Sequence, residues 1–310
     1  MSDRFTPRAV RTQEVWLRAT IDTLLDGIAA GGGELDVLDD LAAQLPCRLT
    51  ATLLGFPEDR WRDVKSWSER LMRIDSAPYD QQVAMGLFTA IGEFATLLGQ
   101  VVPDKRGCPV HEAPDLLSVW ANADVAGHHG YTEDRLVHET GLFIAGGAET
   151  TRTVIAHGLA TFAEHPGQWE LLAERPEVVT TAVEELIRWV TPLNNFFRTA
   201  VQDSTIGGRP VSAGDRVILL YPSANRDEAV FSDPFTFDVT RSPNPHVAFG
   251  YGTHFCLGAN LARYELQLLF RELTRRFEAP EVVSGPEVEP NIFARSVGSF
   301  TARLAPRPGA

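Results

Sequence analysis

The chain has 310 residues, 44% of them hydrophobic, which is enough to bury a large core. Its 28 Lys and Arg against 41 Asp and Glu give a net charge of −13, which excludes an extended basic face for nucleic acid but permits a local patch for an acidic partner. The three cysteines, Cys47, Cys108 and Cys256, form no paired framework and no CxxC, so a reducing, cytoplasmic compartment without zinc is expected. Met1 to Arg8 lacks the apolar stretch of a signal peptide, and no run reads as the roughly 20 apolar residues of a membrane span. Apolar periodicity predicts helices over 8–30, 36–55, 57–74, 80–102, 115–122, 133–164, 166–175 and 177–190. The pattern then changes. Phe196 to Val201 and Val217 to Tyr221 read as strands, with turns at Gly207-Gly208 and Ala213-Gly214-Asp215. Residues 231–248 are rich in Pro, Asn and Asp and read as an ordered loop. A helix from Leu257 to Phe277 and a strand from Ser296 to Leu304 follow, and Pro306 to Ala310 reads as a frayed tail. No repeat or linker divides the chain, so one mainly α domain with small β-sheets, residues 1–310, is expected.

The longest predicted helix carries unusual chemistry. Thr132 suits its N-cap, and Glu133 and Asp134 suit its first turn. At 1.5 Å per residue it would run roughly 48 Å to Glu164. Its middle reads Gly146-Gly147-Ala148-Glu149-Thr150-Thr151. Two adjacent mid-helix glycines cost about 1 kcal/mol each relative to alanine. Either they allow close packing against another helix, or something bulky lies where this helix bends. Further on, Glu185 and Arg188 share a helix face. An exposed pair of this kind is worth little. Leu186, Ile187 and Trp189, however, make that helix largely apolar.

Cys256 lies in His246-Val-Ala-Phe249-Gly250-Tyr-Gly-Thr-His254-Phe-Cys256-Leu-Gly258. It opens the Leu257–Phe277 helix, whose apolar positions 262, 266, 269, 270, 273 and 277 form one stripe. A thiolate there is favoured by the dipole and by free backbone N–H groups. Gly250, Gly252 and Gly258, lacking Cβ atoms, let the backbone approach a flat partner. An inert buried cysteine in a strand-to-helix turn is the alternative.

The stretch Phe249 to Gly258 resembles the haem-ligand signature of the cytochrome P450 family, the haem-thiolate monooxygenases, in which a cysteinate holds the iron. The resemblance implies that Cys256 ligates the iron of haem b, with Phe249, Gly250 and Gly258 around the cofactor. It identifies Glu149 and Thr150 as the acid and alcohol of the distal oxygen-binding motif, and leaves Thr151 one residue off. It makes Glu185, Arg188 and Arg241 a structural network behind the cofactor, with Phe237 to His246 as the meander. Arg198 and His254 match contacts to the propionates, and His246 is either a further contact or an anchor of the meander. Leu193, Phe197, Ala145 and Gly146 are expected to line a greasy substrate pocket.

The implied fold is that of the family, lacking its N-terminal strands and helices, because the likeness starts near Phe5. The best local likeness is to soluble bacterial members. The implied reaction inserts one atom of O2 into an apolar substrate of steroid, terpenoid or fatty acyl type. Electrons would come from a ferredoxin-type donor and its NAD(P)H-dependent reductase. A peroxide-driven haem-thiolate enzyme and a non-catalytic remnant with weak haem binding are the other readings. Glu149-Thr150 speaks against the first, since peroxide chemistry needs no protonation of dioxygen.

Overall fold

The computed structural model describes residues 2–125 and 128–309. Two hydrophobic clusters organise it. The larger joins the Glu14–Ala30, Thr150–Glu164, Val179–Val190 and Ala259–Arg276 helices with the Val297–Arg303 strand, around Leu17, Phe162, Trp169, Phe270 and Phe300. The second joins the Trp61–Leu71, Gln81–Lys105, Leu116–Asn122 and Glu133–Ile144 helices around Trp67, Phe94 and Trp120. The Gln44–Leu54 helix serves both, with Leu45 and Leu49 facing one cluster and Cys47, Ala51 and Leu54 the other.

The expected 133–164 helix is interrupted in its middle. Thr132 caps it, its side chain accepting from the Arg135 backbone N–H at 3.4 Å. An α-helix over Glu133–Ile144 passes into a π-helical turn, Ala145–Glu149, and resumes over Thr150–Glu164. Single π turns of this kind mark insertions into the helical hydrogen-bond ladder. Ile144 and Ala148 belong to the second cluster, while Val154, Ile155 and Leu159 belong to the first. One helix therefore spans both cores, and its irregular turn falls where it passes from one to the other.

The main sheet is antiparallel, in the order Glu34–Asp36, Val297–Arg303, Glu281–Val288. Only its central strand was expected. Glu34–Asp36 is three residues long, too short to show alternation, and Glu281–Val288 is broken by bulges and carries Gly285-Pro286. Asp36 closes the first strand and accepts from the Leu38 and Asp39 N–H groups, starting a π-helical Val37–Ala42 segment that splits the expected 36–55 helix. Asn195–Thr199 pairs with Arg216–Leu220, as Phe197↔Ile218 and Arg198↔Val217. The Gly207-Gly208 turn joins a short hairpin, Ser204–Ile206 with Arg209–Val211. The expected frayed tail is tied down, since Arg307 donates to the Phe277 carbonyl at 2.9 Å and pairs with Glu170 at 2.8 Å.

Among the described residues one helix, Gln81–Lys105, is long and apolar enough to cross a membrane by length and composition, where no such run was expected. It packs on the Trp61–Leu71 and Glu133–Ile144 helices through a face that includes Leu87, Phe94 and Leu98.

Candidate active site

A largely apolar cavity of about 600 Å³ lies between the distal helix and the segment that carries Cys256. Gly146, Gly147, Thr150, Thr151 and Val154 form one wall. Phe249, Gly250, Cys256, Gly258 and Leu261 form the opposite wall, and Leu193, Phe196 and Arg198 close a third side.

The cysteine wall is shaped by its backbone. Residues 252–254 make a single 3-10 turn, and the helix begins at Ala259 rather than Leu257, with Gly258 at its N-cap position. The Cys256 N–H donates to the Phe249 carbonyl at 2.9 Å, folding the loop into a hook that turns the thiol toward the cavity. Gly250 has φ +72° and lies where a Cβ would sit 3.3 Å from the Tyr221 hydroxyl, so this turn favours glycine on both counts. Burial pushes the Cys256 thiol upward, opposed by the Gly258 backbone N–H, Arg263 and the Ala259 N–H. The expected helix-terminus stabilisation is thus present, but in the free thiol burial outweighs it. The Arg263 guanidinium stacks over Phe249, 4.5 Å from the ring centroid, and fixes that ring at the start of the hook.

The two distal glycines do different jobs. A Cβ on Gly147 would come within 2.8 Å of Thr50 Oγ1, which is the close-packing role. A Cβ on Gly146 would meet nothing within 4 Å, because that position faces open space in the cavity. Thr150 lines the cavity, and its hydroxyl donates to the Gly146 carbonyl at 3.0 Å, within the turn loosened by the π geometry. Thr151, set aside from the sequence, lines the cavity too.

Glu149 points out of the back of the helix. It is 1% exposed and does not line the cavity. Its Oε1 accepts from Arg152 at 2.8 Å, and the Ser296 hydroxyl also bonds the carboxyl. Arg152 also pairs with Glu69, which meets Lys65 at 3.1 Å, and Lys65 meets Asp39 at the surface at 3.0 Å. Burial raises the Glu149 carboxyl, with Arg152 opposing. The acid and the alcohol are therefore neighbours in sequence that face opposite sides of the helix, the acid at the inner end of a charged chain that reaches solvent.

Glu185, Arg188 and Arg241 do meet. Arg188 donates to Glu185 at 2.7 and 2.8 Å, and neither side chain has any exposure. Glu185 also accepts from Arg241 at 3.1 Å, from the Asn244 amide at 3.0 Å and from the Asp238 N–H at 3.1 Å. Arg188 also reaches the carbonyls of Asn225 at 2.8 Å and Pro234 at 3.0 Å. Asn225 in turn accepts from the Val247 N–H at 2.8 Å, two residues before Phe249. The network thus pins the loop that feeds the cysteine hook.

Of the remaining expected residues, Leu193, Arg198 and His254 line the cavity, Arg198 and His254 with exposed side chains. Two do not fit their expected places, and His246 takes the anchoring one of its two readings. His246 is turned away, its Nε2 3.0 Å from Glu184 and its Nδ1 accepting from the Ala248 N–H, so it anchors the meander. Phe197 faces outward under the Arg216 guanidinium, 4.8 Å from the ring centroid, because strand alternation puts Phe196 and Arg198 on the cavity side. Ala145 is the first residue of the π turn and does not line the cavity. Period two counted back from Arg198 would have found Phe196. Glu265, also missed, lines the cavity from within the apolar stripe of the cysteine helix, three residues after Ala262.

These residues fit the haem that the resemblance implies. A thiol faces a flat, greasy gap, no side chain fills the space beside Gly146 and Gly258, and a guanidinium and an imidazole stand at its edge, suited to carboxylates. The comparisons agree. The Cytochrome P450 family description matches residues 168–297. A steroid C26-monooxygenase of Mycobacterium tuberculosis is 37% identical over 98% of this chain and 81% of its own length. A linalool 8-monooxygenase of Pseudomonas putida is 33% identical over 97% of this chain and 73% of its own. Among solved structures, a Mycobacterium marinum cytochrome P450 in complex with pseudoionone superposes with a TM-score of 0.90 at 32% identity, covering 97% of this chain and 73% of that one. With the cysteine hook, the π-turned distal helix and the buried Glu185–Arg188–Arg241 network in that shared fold, this chain belongs to the cytochrome P450 family of monooxygenases.

Proposed function

We propose that this chain holds haem b through Cys256 and hydroxylates a steroid or terpenoid, taking electrons from a ferredoxin-type donor with its NAD(P)H-dependent reductase. The observation that carries the reading is that Cys256 and Thr150 line one and the same apolar cavity. The haem, when bound, supplies the reduction of O2 and the insertion of one oxygen atom into a C–H bond. The chain supplies the rest. Leu193, Phe196 and Val154 offer apolar surface to a greasy substrate and keep water out. Arg198 and His254 hold the propionates at the edge. Thr150 can exchange its bond to the Gly146 carbonyl for a water in the cavity, which places an O–H donor opposite the cysteine. Glu149 is held behind the helix by Arg152, and the Arg152–Glu69–Lys65–Asp39 ion pairs join it to the surface. The steroid and terpenoid substrates are suggested by the relatives' names and by the cavity's apolar lining.

The test is the spectrum of the reduced, CO-treated protein. Wild type is expected to show the strongly red-shifted Soret band of a thiolate ligand. Cys256→Ser should lose it, and Cys47→Ala and Cys108→Ala should keep it. A red-shifted band in Cys256→Ser would overturn the assignment.

A further inference from the structure

Glu265 is a buried acid that none of these roles uses. It lies on the Ala259–Arg276 helix, nine residues beyond Cys256, 2% exposed, and it lines the cavity. Its Oε1 is buried without a hydrogen-bond partner. An ionised carboxylate in that position would be strongly penalised, whereas a protonated one brings an O–H that needs an acceptor. The cavity is the side on which that acceptor can sit.

The charged groups on the elements packed against this helix are engaged elsewhere. On the Val179–Val190 helix, Glu184 is held by His246 and Arg263, and Glu185 by Arg188 and Arg241. On the Glu14–Ala30 helix, Glu14 is held by Arg18 and Tyr264, and Asp22 and Asp26 by Arg276. On the distal helix, Arg152 serves Glu149 and Glu69, and His157 meets the Arg295 carbonyl at 3.0 Å. Glu170, on the Pro166–Glu174 helix, pairs with Arg307, and Arg4 in the first turn donates to the Ala113 carbonyl. Arg8 of the Pro7–Val10 helix is exposed. The other ionisable groups lining the cavity are Glu139, Arg198, Tyr221, His254 and Cys256. Burial is the one cause acting on Glu265, and it holds the proton to about pH 8.

We propose that Glu265 is a neutral carboxylic acid built into the cleft wall, donating a hydrogen bond to a water or other uncharged oxygen there, and that cofactor occupancy is tied to keeping this proton. The inference rests on the reading that the cleft takes haem. Filling the rest of the cleft with a flat apolar group removes bulk water from around Glu265 and makes the ionised form still less favourable. Binding therefore favours the protonated acid, and affinity contributed through Glu265 is level below its titration and falls above it. Cys256 acts in the opposite sense, because ligation removes its proton. A ratio of wild type to a neutral variant cancels that contribution.

The experiment measures haem affinity of the holoprotein, from haem loss to a scavenging apoprotein, between about pH 6 and about pH 10, for wild type and the isosteric Glu265→Gln. The expected ratio of affinities is level to about pH 8 and then falls, by up to about tenfold per pH unit. Infrared difference spectra should also show a protonated carboxylic acid carbonyl stretch near neutral pH in wild type that disappears on raising the pH and is absent from Glu265→Gln. Parallel pH profiles, or no such band, would overturn the proposal. The infrared titration of wild type alone decides it if the variant fails to fold. Failure of wild type to take haem at any pH would instead overturn the cofactor reading on which it rests.

Discussion

Replacing Glu185 by Leu tests how the buried network holds the loop that feeds the cysteine. Glu185 has no exposure and accepts from Arg188 twice, from Arg241, from Asn244 and from the Asp238 N–H. Its removal leaves two buried or nearly buried guanidinium groups with only neutral carbonyl acceptors, since Arg188 has no exposure and Arg241 10%. Breaking a buried pair from one side costs about 3–5 kcal/mol, and the loss of two cations' common partner places Glu185→Leu at the upper end. Arg188→Leu should cost less, about 3 kcal/mol. It leaves Glu185 with Arg241, Asn244 and the Asp238 N–H, and orphans chiefly the Asn225 and Pro234 carbonyls. The double Leu variant should cost less than the sum of the singles by at least about 2 kcal/mol, because the fully buried Arg188 is then not left without its carboxylate, although Arg241 still is. Urea unfolding at neutral pH, followed by tryptophan fluorescence, measures all three. Against a domain stability of about 5–15 kcal/mol, either single loss is a large fraction. Singles costing under about 1 kcal/mol each, and adding without coupling, would show an ordinary surface-type ion pair and refute the reasoning.

Thr150→Ala should leave substrate binding intact and divert reducing equivalents to peroxide, so that product formed per donor oxidised drops several-fold; unchanged coupling would mean the hydroxyl does no more than bond the Gly146 carbonyl. Glu184 carries a pH signature. Burial works to raise its carboxyl, but His246 and Arg263 outweigh that and hold it at about 2 rather than the ordinary 4.5. The stabilisation is therefore complete above pH 4.5 and is lost as pH falls toward 2, and is at most about 3 kcal/mol. Glu184→Gln should flatten that acid limb in a pH series of urea midpoints, and an unchanged limb would refute the assignment.

Much of this architecture was legible because its signals are local. The cysteine stretch combines a thiol with glycines at fixed spacing, and the two distal glycines announced a helix under constraint before any contact was known. What that constraint was did not show. Close packing and a bulky neighbour were alternatives in the sequence, and the structure uses both, one glycine each. The side of the helix on which Glu149 lies was equally hidden. A regular helix places consecutive residues about 100° apart, but the π turn resets that count, and Arg152 and Glu69 decide the final pose. His246 could be read as cofactor contact or anchor until Glu184, distant in sequence, supplied its partner. The missed strands, Glu34–Asp36 and Glu281–Val288, owe their form to pairing with the Val297–Arg303 strand rather than to their own pattern.

The distal helix acts as a beam shared by two bodies. Its first half is packed into the second cluster and its last half into the first, and Ala145–Glu149 is the joint between them. The π turn is the irregular stretch of this helix, set between two regular α-helical halves. The Glu133–Ile144 half carries Leu142 and Phe143, which line the cavity, and leads directly into these five residues. The Gly146 carbonyl that holds the Thr150 hydroxyl lies inside the joint. The two halves of the helix, each seated in its own core, therefore meet at the same five residues that set where the Thr150 hydroxyl is held.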